Sequence, residues 1–537
     1  MLKQLTGVDA MFLYMETPRS FGHVSSVSVF EHPGGDYQPY EAFRSQVEQR
    51  LELVEPFRRK LVTVPLEIDH PYWVNDPDFD LDFHVRSIGL APPGNDEQLA
   101  TQVSRIISRP LDRNHPLWEV YVIEGLDNGS CFATLTKVHH ATIDGASGVE
   151  LLTMLLDPSP DAVYTPPADI EPWVADVVPS QLDMFMRGLN NLARQPERIA
   201  RVQGRLIREL GRNRGTALGE LVRMARPFLP AIPTLPAWPM IGSSRKKPEV
   251  RDAPPTLPTG SAPPTPFNRS ITPHRRFALR SAPLSKVKEL KSAYGVTVND
   301  IVMSVCAGAL RRWLIEQDAL TNEPLVAMVP VSIRTGNEAD IWSNRVSAIF
   351  APIPTHLDDP VERVRFMNEA MVTAKASFEL IPASTLTDLT QFAPPALATR
   401  AIRMATAARL GNRVNMPVNL VISNVPGPRQ PLYLQGGAKL KHFYPVSTIV
   451  EGQGLNITVQ SYLDTLDFGL VSCRELVPDL WHLVDLCIEE LDVLAAAIAP
   501  ELAVTPAVAP AVTPTVPRAR TTKPRVPKSR TTAAVER

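Results

Sequence analysis

The sequence predicts a mixed α/β fold in two parts joined by a proline-rich segment. Stretches with strand character alternate with stretches of helical spacing in residues 1–165 and again in residues 274–500. Many of the 53 prolines lie between the two parts, in residues 166–273, where they exclude long helices and central strands. The 537 residues also exceed what one compact core usually holds, which favours two domains.

In the first part, strands are predicted where β-branched and aromatic residues dominate, at Ser26–Phe30 and Cys131–Val138. Helices are predicted at Glu41–Leu53 and Glu97–Ile107, where apolar residues recur at helical spacing. Another predicted helix, Val149–Leu156, follows a pair of histidines. The order of these elements is typical of an α/β domain.

The second part repeats this mixture of helices and strands. The predicted helices are Leu284–Tyr294, Asn299–Ile315 and Asp479–Ile498. The predicted strands are Leu325–Val331, Val346–Pro352, Asn419–Ser423 and a hairpin of Gly454–Tyr462 with Leu466–Cys473. The shared α/β character permits a duplicated fold without proving one. Residues 501–537 are rich in Pro, Ala and Thr and then basic, which predicts a disordered tail.

Composition excludes several classes of protein. Hydrophobic residues make up 44% and charged residues 21% of the chain, so most of it is expected to fold. The formal net charge of -2 argues against a nucleic-acid-binding protein. Cys131, Cys306, Cys473 and Cys487 are scattered in apolar surroundings without a CxxC spacing. They are therefore predicted to be buried free thiols, not disulfides or zinc ligands.

The sequence also bears on membrane contact. The N-terminus lacks the apolar run of a signal peptide, and no apolar stretch is long enough to span a bilayer, so we expect a cytoplasmic protein. Leu182–Met224 has a basic amphipathic pattern, and the apolar stretch Pro227–Gly242 follows it. This region either anchors the protein at a membrane or lipid droplet surface, or packs its apolar stripe on one domain.

The stretch FATLTKVHHATIDGASG, residues 132–148, holds the candidate catalytic residues. His139 and His140 lie at the end of a predicted strand, where successive side chains point to opposite faces. One histidine can therefore face a cavity while the other supports it. Histidine suits general-base catalysis because its unperturbed pKa, about 6.5, is near neutral pH. Asp144 can brace the turn through backbone N–H groups or an arginine, and Gly145 permits a backbone shape that side chains forbid.

Two other interpretations of these residues stay open. The histidines can be ordinary packed residues, and His-His-Asp can also form a zinc or iron site. A metal site is disfavoured because neighbours that face opposite ways make poor co-ligands and no HExxH-type motif is present. The residues alone do not separate the catalytic interpretation from the structural one.

Several motifs together resemble a known family. HHATIDG, residues 139–145, matches the HHxxxDG signature of acyl-CoA-dependent acyltransferases, and the chain resembles bacterial wax ester synthase/diacylglycerol acyltransferases. Further matches, in family order, are LTGVDAMFLYMETP (Leu5–Pro18), RPLDRNHPLWEVYVIEGL (Arg109–Leu126), TVNDIVM (Thr297–Met303), MVPVSIR (Met328–Arg334) and NLVISNVPGPRQPLYLQG (Asn419–Gly436). The resemblance covers roughly residues 1–499 except the proline-rich middle. One motif alone is weak, but this ordered set is specific.

The resemblance implies roles for the histidine motif. His140 would be the general base that deprotonates the acceptor hydroxyl, and His139 would support it. Asp144 would be structural and would pair with an arginine. Arg334 is the candidate partner, and Arg345 competes with it.

It implies further roles outside that motif. Pro116, Leu117 and Trp118 would pack beside the histidine loop and form a wall of the substrate site, with ordinary core packing as the alternative. Asn299 and Asp300 carry the family's ND motif and could shape the site wall; independently of the resemblance, they precede a long predicted helix and could cap its N-terminus. Asn424 would donate a hydrogen bond to the developing oxyanion.

The resemblance finally implies an architecture and an activity. Two similar chloramphenicol-acetyltransferase-like halves with mixed sheets would meet at a cleft, with His140 inside a tunnel. The expected activity is transfer of a long-chain acyl group from acyl-CoA to diacylglycerol, and possible wax ester synthesis from long-chain alcohols. Acyl-CoA is a substrate, and no cofactor or metal is expected. The alternatives are a carrier-protein-dependent condensation-type or polyketide acyltransferase, and an inactive paralogue that binds lipid surfaces.

Overall fold

A computed structural model of the chain describes residues 2–143, 145–167, 173–194, 261–332, 346–379, 395–412 and 416–504. The predicted residues Asp144, Arg334 and Arg345 lie outside these ranges. So do most of the proline-rich segment, including Pro227–Gly242, and residues 505–537 of the tail.

The secondary structure alternates helices with strands in both parts. The strands are β1 (Lys3–Gln4), β2 (His23–Glu31), β3 (Arg59–Val62), β4 (Tyr72–Asn75), β5 (Val85–Gly89), β6 (Trp118–Leu126), β7 (Cys131–His139), β8 (Arg275–Pro283), β9 (Leu325–Ser332), β10 (Val346–Ile353), β11 (Leu420–Val425), β12 (Tyr433–Leu434), β13 (Ala438–Val446), β14 (Leu455–Tyr462) and β15 (Thr465–Cys473). The helices are α1 (Gly7–Tyr14), α2 (Pro39–Arg50), α3 (Leu81–His84), α4 (Asp96–Ile107), α5 (Gly145–Leu155), α6 (181–194), α7 (Leu284–Tyr294), α8 (Val298–Glu316), α9 (Pro360–Glu379), α10 (Pro395–Ala407) and α11 (Leu480–Val504).

Two six-stranded sheets form the framework. The first sheet has the order β12-β13-β2-β7-β6-β5, with β5 parallel to β6 and the other pairs antiparallel. The second has the order β10-β9-β11-β14-β15-β8, in which β11 runs parallel to both of its neighbours. Helices α7, α8, α9 and α11 cover the second sheet over a continuous apolar core. The predicted α/β class, with two halves built on mixed sheets, is confirmed.

Strand β13 comes from the second part of the sequence but lies in the first sheet. Its Phe443 is the register partner of Ser28 in β2. The N–H of Phe443 also donates to the buried Asp467 carboxylate of β15, at 2.8 Å. A Cβ at Gly469 in β15 would lie only 1.8 Å from the carbonyl oxygen of Pro445. Glycine therefore lets the two sheets approach each other closely at β13.

Most predicted elements agree with the structure. The helix Leu284–Tyr294 has the predicted bounds, and the hairpin of β14 and β15 is present. The free cysteines Cys131, Cys306, Cys473 and Cys487 are buried, as predicted.

In the described part of the chain, no single helix is long and apolar enough to cross a bilayer. Helices α7 and α8 reach that length and composition only together, as a pair bent by 100°.

Candidate active site

The two histidines lie at the end of β7, a central strand of the first sheet. The N–H of His139 donates to the carbonyl oxygen of Leu117 at 2.9 Å, and that of His140 donates to Gly22 at 2.7 Å. Successive amides thus bind opposite neighbours, as in a central antiparallel strand. His139 is the last residue of β7, and His140 begins the turn that follows, in which the Thr142 N–H donates to the carbonyl oxygen of His139 at 2.9 Å.

His139 is the buried member of the pair, with a side chain only 1% exposed. Its Nδ1 accepts the N–H of Ala141 at 3.0 Å, so the neutral ring carries its proton on Nε2. That nitrogen lies 3.3 Å from Glu16 Oε1, an electrostatic contact in which the N–H is not aligned for a hydrogen bond. His139 therefore faces the protein interior.

Glu16 joins three segments around the histidine turn. Its Oε1 accepts the N–H of Gly22 at 2.8 Å, and its Oε2 accepts from Arg113 Nη2 at 2.6 Å and Nε at 3.2 Å. Burial raises the pKa of Glu16, but the contacts with His139, Arg113 and Gly22 outweigh burial and hold the pKa below its usual range. Glu16 is thus an ionised, largely buried carboxylate beneath the histidine pair.

Gly22 permits the close approach of β2 to this turn. A Cβ at this position would lie 2.5 Å from His139 Nε2 and 2.9 Å from the carbonyl oxygen of Phe12. Both neighbours are held by other contacts, so only glycine fits without a shift.

His140 is half-buried, and its ring packs face to face with Phe12. The ring centroids are 4.0 Å apart, and the planes differ by 4°. Phe12 lies in α1, whose N-terminus is capped by the Thr6 side chain accepting from Asp9 N–H. The N-terminal motif Leu5–Pro18 therefore forms one side of the histidine site through Phe12 and Glu16.

The PLW motif lies directly beside β7. Pro116, Leu117 and Trp118 are all buried. Leu117 packs with residues of α1, and its carbonyl binds His139. Trp118 donates from Nε1 to Phe57 O at 2.8 Å and stacks on the Phe57 ring. The motif thus supports the histidine strand, and its assignment to a substrate-site wall stays a prediction.

The ND motif corrects one expectation. The N-cap of α8 is Thr297, not Asn299. Asp300 completes a capping box by accepting the Thr297 N–H at 2.9 Å, and its side chain also accepts from Asn368 at 2.9 Å. The physical reason is spacing, because an N-cap binds the N–H three residues later and Thr297 stands three before Asp300. Asn299 lies inside the first turn of the helix and so cannot be its N-cap.

The other predicted residues are only partly placed. Asn424 lies in β11, where Val459 of β14 is its register partner. Gly145 begins α5. The predicted pairing of Asp144 with Arg334 or Arg345 involves residues outside the described ranges. The oxyanion role of Asn424 and the structural role of Asp144 stay predictions.

Glu16, Arg113, Phe12 and Lys137 are site residues that sequence reasoning missed. All four lie inside motifs quoted from the sequence, but only the fold shows that they converge on the histidines. Lys137, two residues before His139 on β7, is 1% exposed and donates to Arg109 O at 2.7 Å. Burial lowers its pKa to about 8. This contact holds the start of the loop that carries Arg113.

The described part of the chain holds no group of three His, Cys, Asp or Glu side chains able to bind a metal ion. The arrangement instead provides one accessible imidazole and one buried imidazole backed by a carboxylate. The accessible imidazole can accept a proton from a bound group.

Comparison with known proteins identifies the family. A family model of the wax ester synthase/diacylglycerol acyltransferase catalytic domain matches residues 5–302. A model of the WS/DGAT C-terminal domain matches residues 342–495. The chain belongs to this family.

Individual relatives agree with the assignment. A putative diacylglycerol O-acyltransferase of Mycobacterium tuberculosis is 34% identical over 90% of this chain and 88% of its own length. Another, from Mycobacterium bovis, is 35% identical over 89% of this chain and 95% of its own length.

Solved structures share the fold. The wax ester synthase/diacylglycerol acyltransferase from Marinobacter aquaeolei VT8 matches with a TM-score of 0.63 and 29% identity, over 92% of this chain and 99% of that chain. A trichothecene 15-O-acetyltransferase from Fusarium sporotrichioides matches with a TM-score of 0.53 over 91% and 94% of the two chains. Its 10% identity shows a common fold alone.

Proposed function

We propose that this protein transfers a long-chain acyl group from acyl-CoA to the hydroxyl of diacylglycerol, forming triacylglycerol and CoA. The observation that carries the proposal is identity of 34–35% along nearly the whole length of relatives named diacylglycerol O-acyltransferases. Long-chain alcohols are a second class of acceptor, supported by the name of the 29% identical Marinobacter enzyme. Both acceptors offer a hydroxyl group to the same base.

In the proposed mechanism, His140 accepts the proton of the acceptor hydroxyl. The oxygen attacks the thioester carbonyl, the C–S bond breaks, and the leaving thiolate takes the proton back from His140. No acyl-enzyme forms, and acyl-CoA enters as a substrate without a resident cofactor. Asn424 donates to the developing oxyanion. Asp144 holds the turn through an arginine, for which Arg334 is the candidate.

The fixed tautomer of His139 supports this division of roles. Its Nδ1 accepts the Ala141 N–H, and its Nε2 lies 3.3 Å from Glu16 Oε1 with the side chain only 1% exposed, so the ring is enclosed inside the protein. His140 lies in the turn after β7 and is only half-buried. It is therefore the better candidate for contact with substrate.

The test is CoA release, measured by thiol titration with palmitoyl-CoA as donor. Dioleoylglycerol and hexadecanol are compared as acceptors, and a carrier-protein-bound palmitoyl thioester is the alternative donor. Release that depends on dioleoylglycerol supports the proposal. Activity with the carrier-bound donor alone would favour the condensation-type alternative, and a folded protein inert with every pair would favour the inactive lipid-binding paralogue.

We also propose that α6 contacts the membrane or lipid droplet surface from the cytoplasmic side. One face of α6 packs on the first part of the chain through Met184, which is fully buried, and Asn191, which donates to Asp69 at 2.7 Å. The opposite face carries exposed apolar side chains, namely Leu182, Met186, Leu189 and Leu192. Helical spacing places these four on one stripe, which supports surface contact over internal packing.

Vesicle flotation tests this surface. The double variant Leu182→Asp/Leu189→Asp is expected to lose flotation with dioleoylglycerol-containing vesicles and to keep its thermal midpoint. Asn190→Asp, an exposed polar position on the same helix, is the matched control for added negative charge. Equal flotation of all three proteins would contradict the surface assignment.

A further inference from the structure

The ring of Phe12 covers one face of the His140 imidazole. The two rings form a parallel stack with centroids 4.0 Å apart. Helix α1 fixes the position of Phe12, because Leu13 and Tyr14 beside it are buried in a cluster with Leu117 and Ala141. These last two flank the histidine strand and turn. Phe12 and His140 are therefore held against each other by the fold.

An aromatic face attracts a cationic imidazolium more strongly than it attracts a neutral imidazole. The face of benzene carries partial negative charge, so a protonated imidazole stacked on it gains cation–π energy that a neutral imidazole lacks. The stack thus favours the protonated state of the histidine. An interaction that strengthens as the proton arrives lowers the barrier to proton transfer, because it acts more on the transition state than on the ground state.

We propose that Phe12 is a positioning residue for the transfer reaction: it orients the His140 ring and stabilises the imidazolium that forms when His140 accepts the hydroxyl proton. This inference rests on the proposed function, in which His140 is the base. Phe12 does not touch the reacting atoms and acts only through His140.

Other titratable groups stand on the elements around His140. In the described residues they include Asp9, Tyr14, Glu16, His23, Lys137 and His139. Each has a partner of its own: Asp9 accepts from Thr6, Tyr14 binds His70, His23 binds the Ile107 carbonyl, Lys137 donates to the Arg109 carbonyl, and Glu16 contacts His139 and Arg113. A change at Phe12 removes no bond from these groups. It therefore isolates the effect of the stacked ring.

The variant Phe12→Leu keeps an apolar side chain and removes the aromatic face. We expect kcat to fall about 2- to 30-fold, the range that corresponds to ~0.5–2 kcal/mol of cation–π stabilisation. The acidic limb of the pH–rate profile should also move to lower pH, by about 0.4 to 1.5 pH. The limb moves to lower pH because His140 acts as a base only when neutral. Without the Phe12 ring, His140 is harder to protonate, so it stays neutral down to a lower pH.

Two controls separate this role from simple space filling. Phe12→Tyr keeps the aromatic face, so it should restore the acidic limb to its wild-type position. Phe21→Leu removes a ring stacked on His23, which takes no part in the reaction, so that limb should stay in place. Thermal unfolding of each variant shows whether the fold survives.

The outcomes are distinct. A Phe12→Leu variant with wild-type kcat and an unmoved acidic limb overturns the role of Phe12. Equal losses in Phe12→Leu and Phe12→Tyr with unmoved limbs overturn it too, because the ring would then only fill space. If His140→Ala keeps wild-type activity, the proposed base fails and this inference fails with it. Inactive His140→Ala with unaffected Phe12→Leu removes only the inference.

Discussion

Oε1 of Glu16 lies 3.3 Å from Nε2 of His139, although the two residues come from opposite ends of the first part of the sequence. The carboxylate also binds Gly22 and Arg113, so one side chain connects the N-terminal segment, β2 and the loop before β6 to the histidine turn. This relationship places the N-terminal motif against the candidate active site.

Glu16→Gln should lower kcat roughly 10- to 100-fold, the scale of a small misplacement of a catalytic group. Glutamine keeps the shape but not the charge that holds Arg113. The stability effect should depend on pH. The pKa of Glu16 is lower in the folded than in the unfolded state, so its contribution is full above about pH 5 and is lost as the pH falls through and below about pH 4.

Urea unfolding at several pH values checks this dependence. The difference in unfolding free energy between wild type and Glu16→Gln should be constant from pH 7 to about pH 5 and shrink at lower pH. A difference that grows on acidification would contradict an ionised Glu16.

Gly22→Ala should reduce both activity and stability. The added methyl group would lie 2.5 Å from His139 Nε2, so β2 or the imidazole must move. Overpacking of this kind costs about 1–3 kcal/mol. Gly89→Ala is the matched control because a Cβ in that β5 position meets nothing within 4 Å. If Gly22→Ala kept the wild-type kcat and thermal midpoint, residue 22 would have more room beside His139 than the structure shows.

Local sequence patterns predicted the helices and strands but not the contacts between them. Helix Leu284–Tyr294 has its predicted bounds because local signals set them: apolar residues recur at helical spacing, and Gly295 ends the helix in a left-handed conformation. The pairing of β13 with β2, the contact of Glu16 with Arg113 and the stack of Phe12 on His140 join residues distant in sequence. No periodicity carries such information. Family motifs marked the right segments, yet only the fold shows which side chains in them meet.

The two residues of the ND motif, Asn299 and Asp300, should differ in their contribution to stability. Asp300→Ala should destabilise the protein by about 1–3 kcal/mol, because the buried carboxylate accepts from Thr297 and Asn368. Asn299→Ala should change stability by less than about 0.5 kcal/mol and leave kcat unchanged. Chemical denaturation together with the CoA-release assay measures both. Loss of activity in a stable Asn299→Ala would instead place this residue at the substrate.

The central claim is that His140 is the base and His139 its buried support. The most direct measurement is kcat for CoA release from palmitoyl-CoA with dioleoylglycerol, in wild type, His140→Ala and His139→Ala, alongside their thermal midpoints. The account predicts that His140→Ala keeps its midpoint and loses about 100-fold or more in kcat. His139→Ala should lower both quantities, because it empties a buried site. Activity that survives in His140→Ala, with loss only in His139→Ala, would contradict the account and make the buried His139 the base.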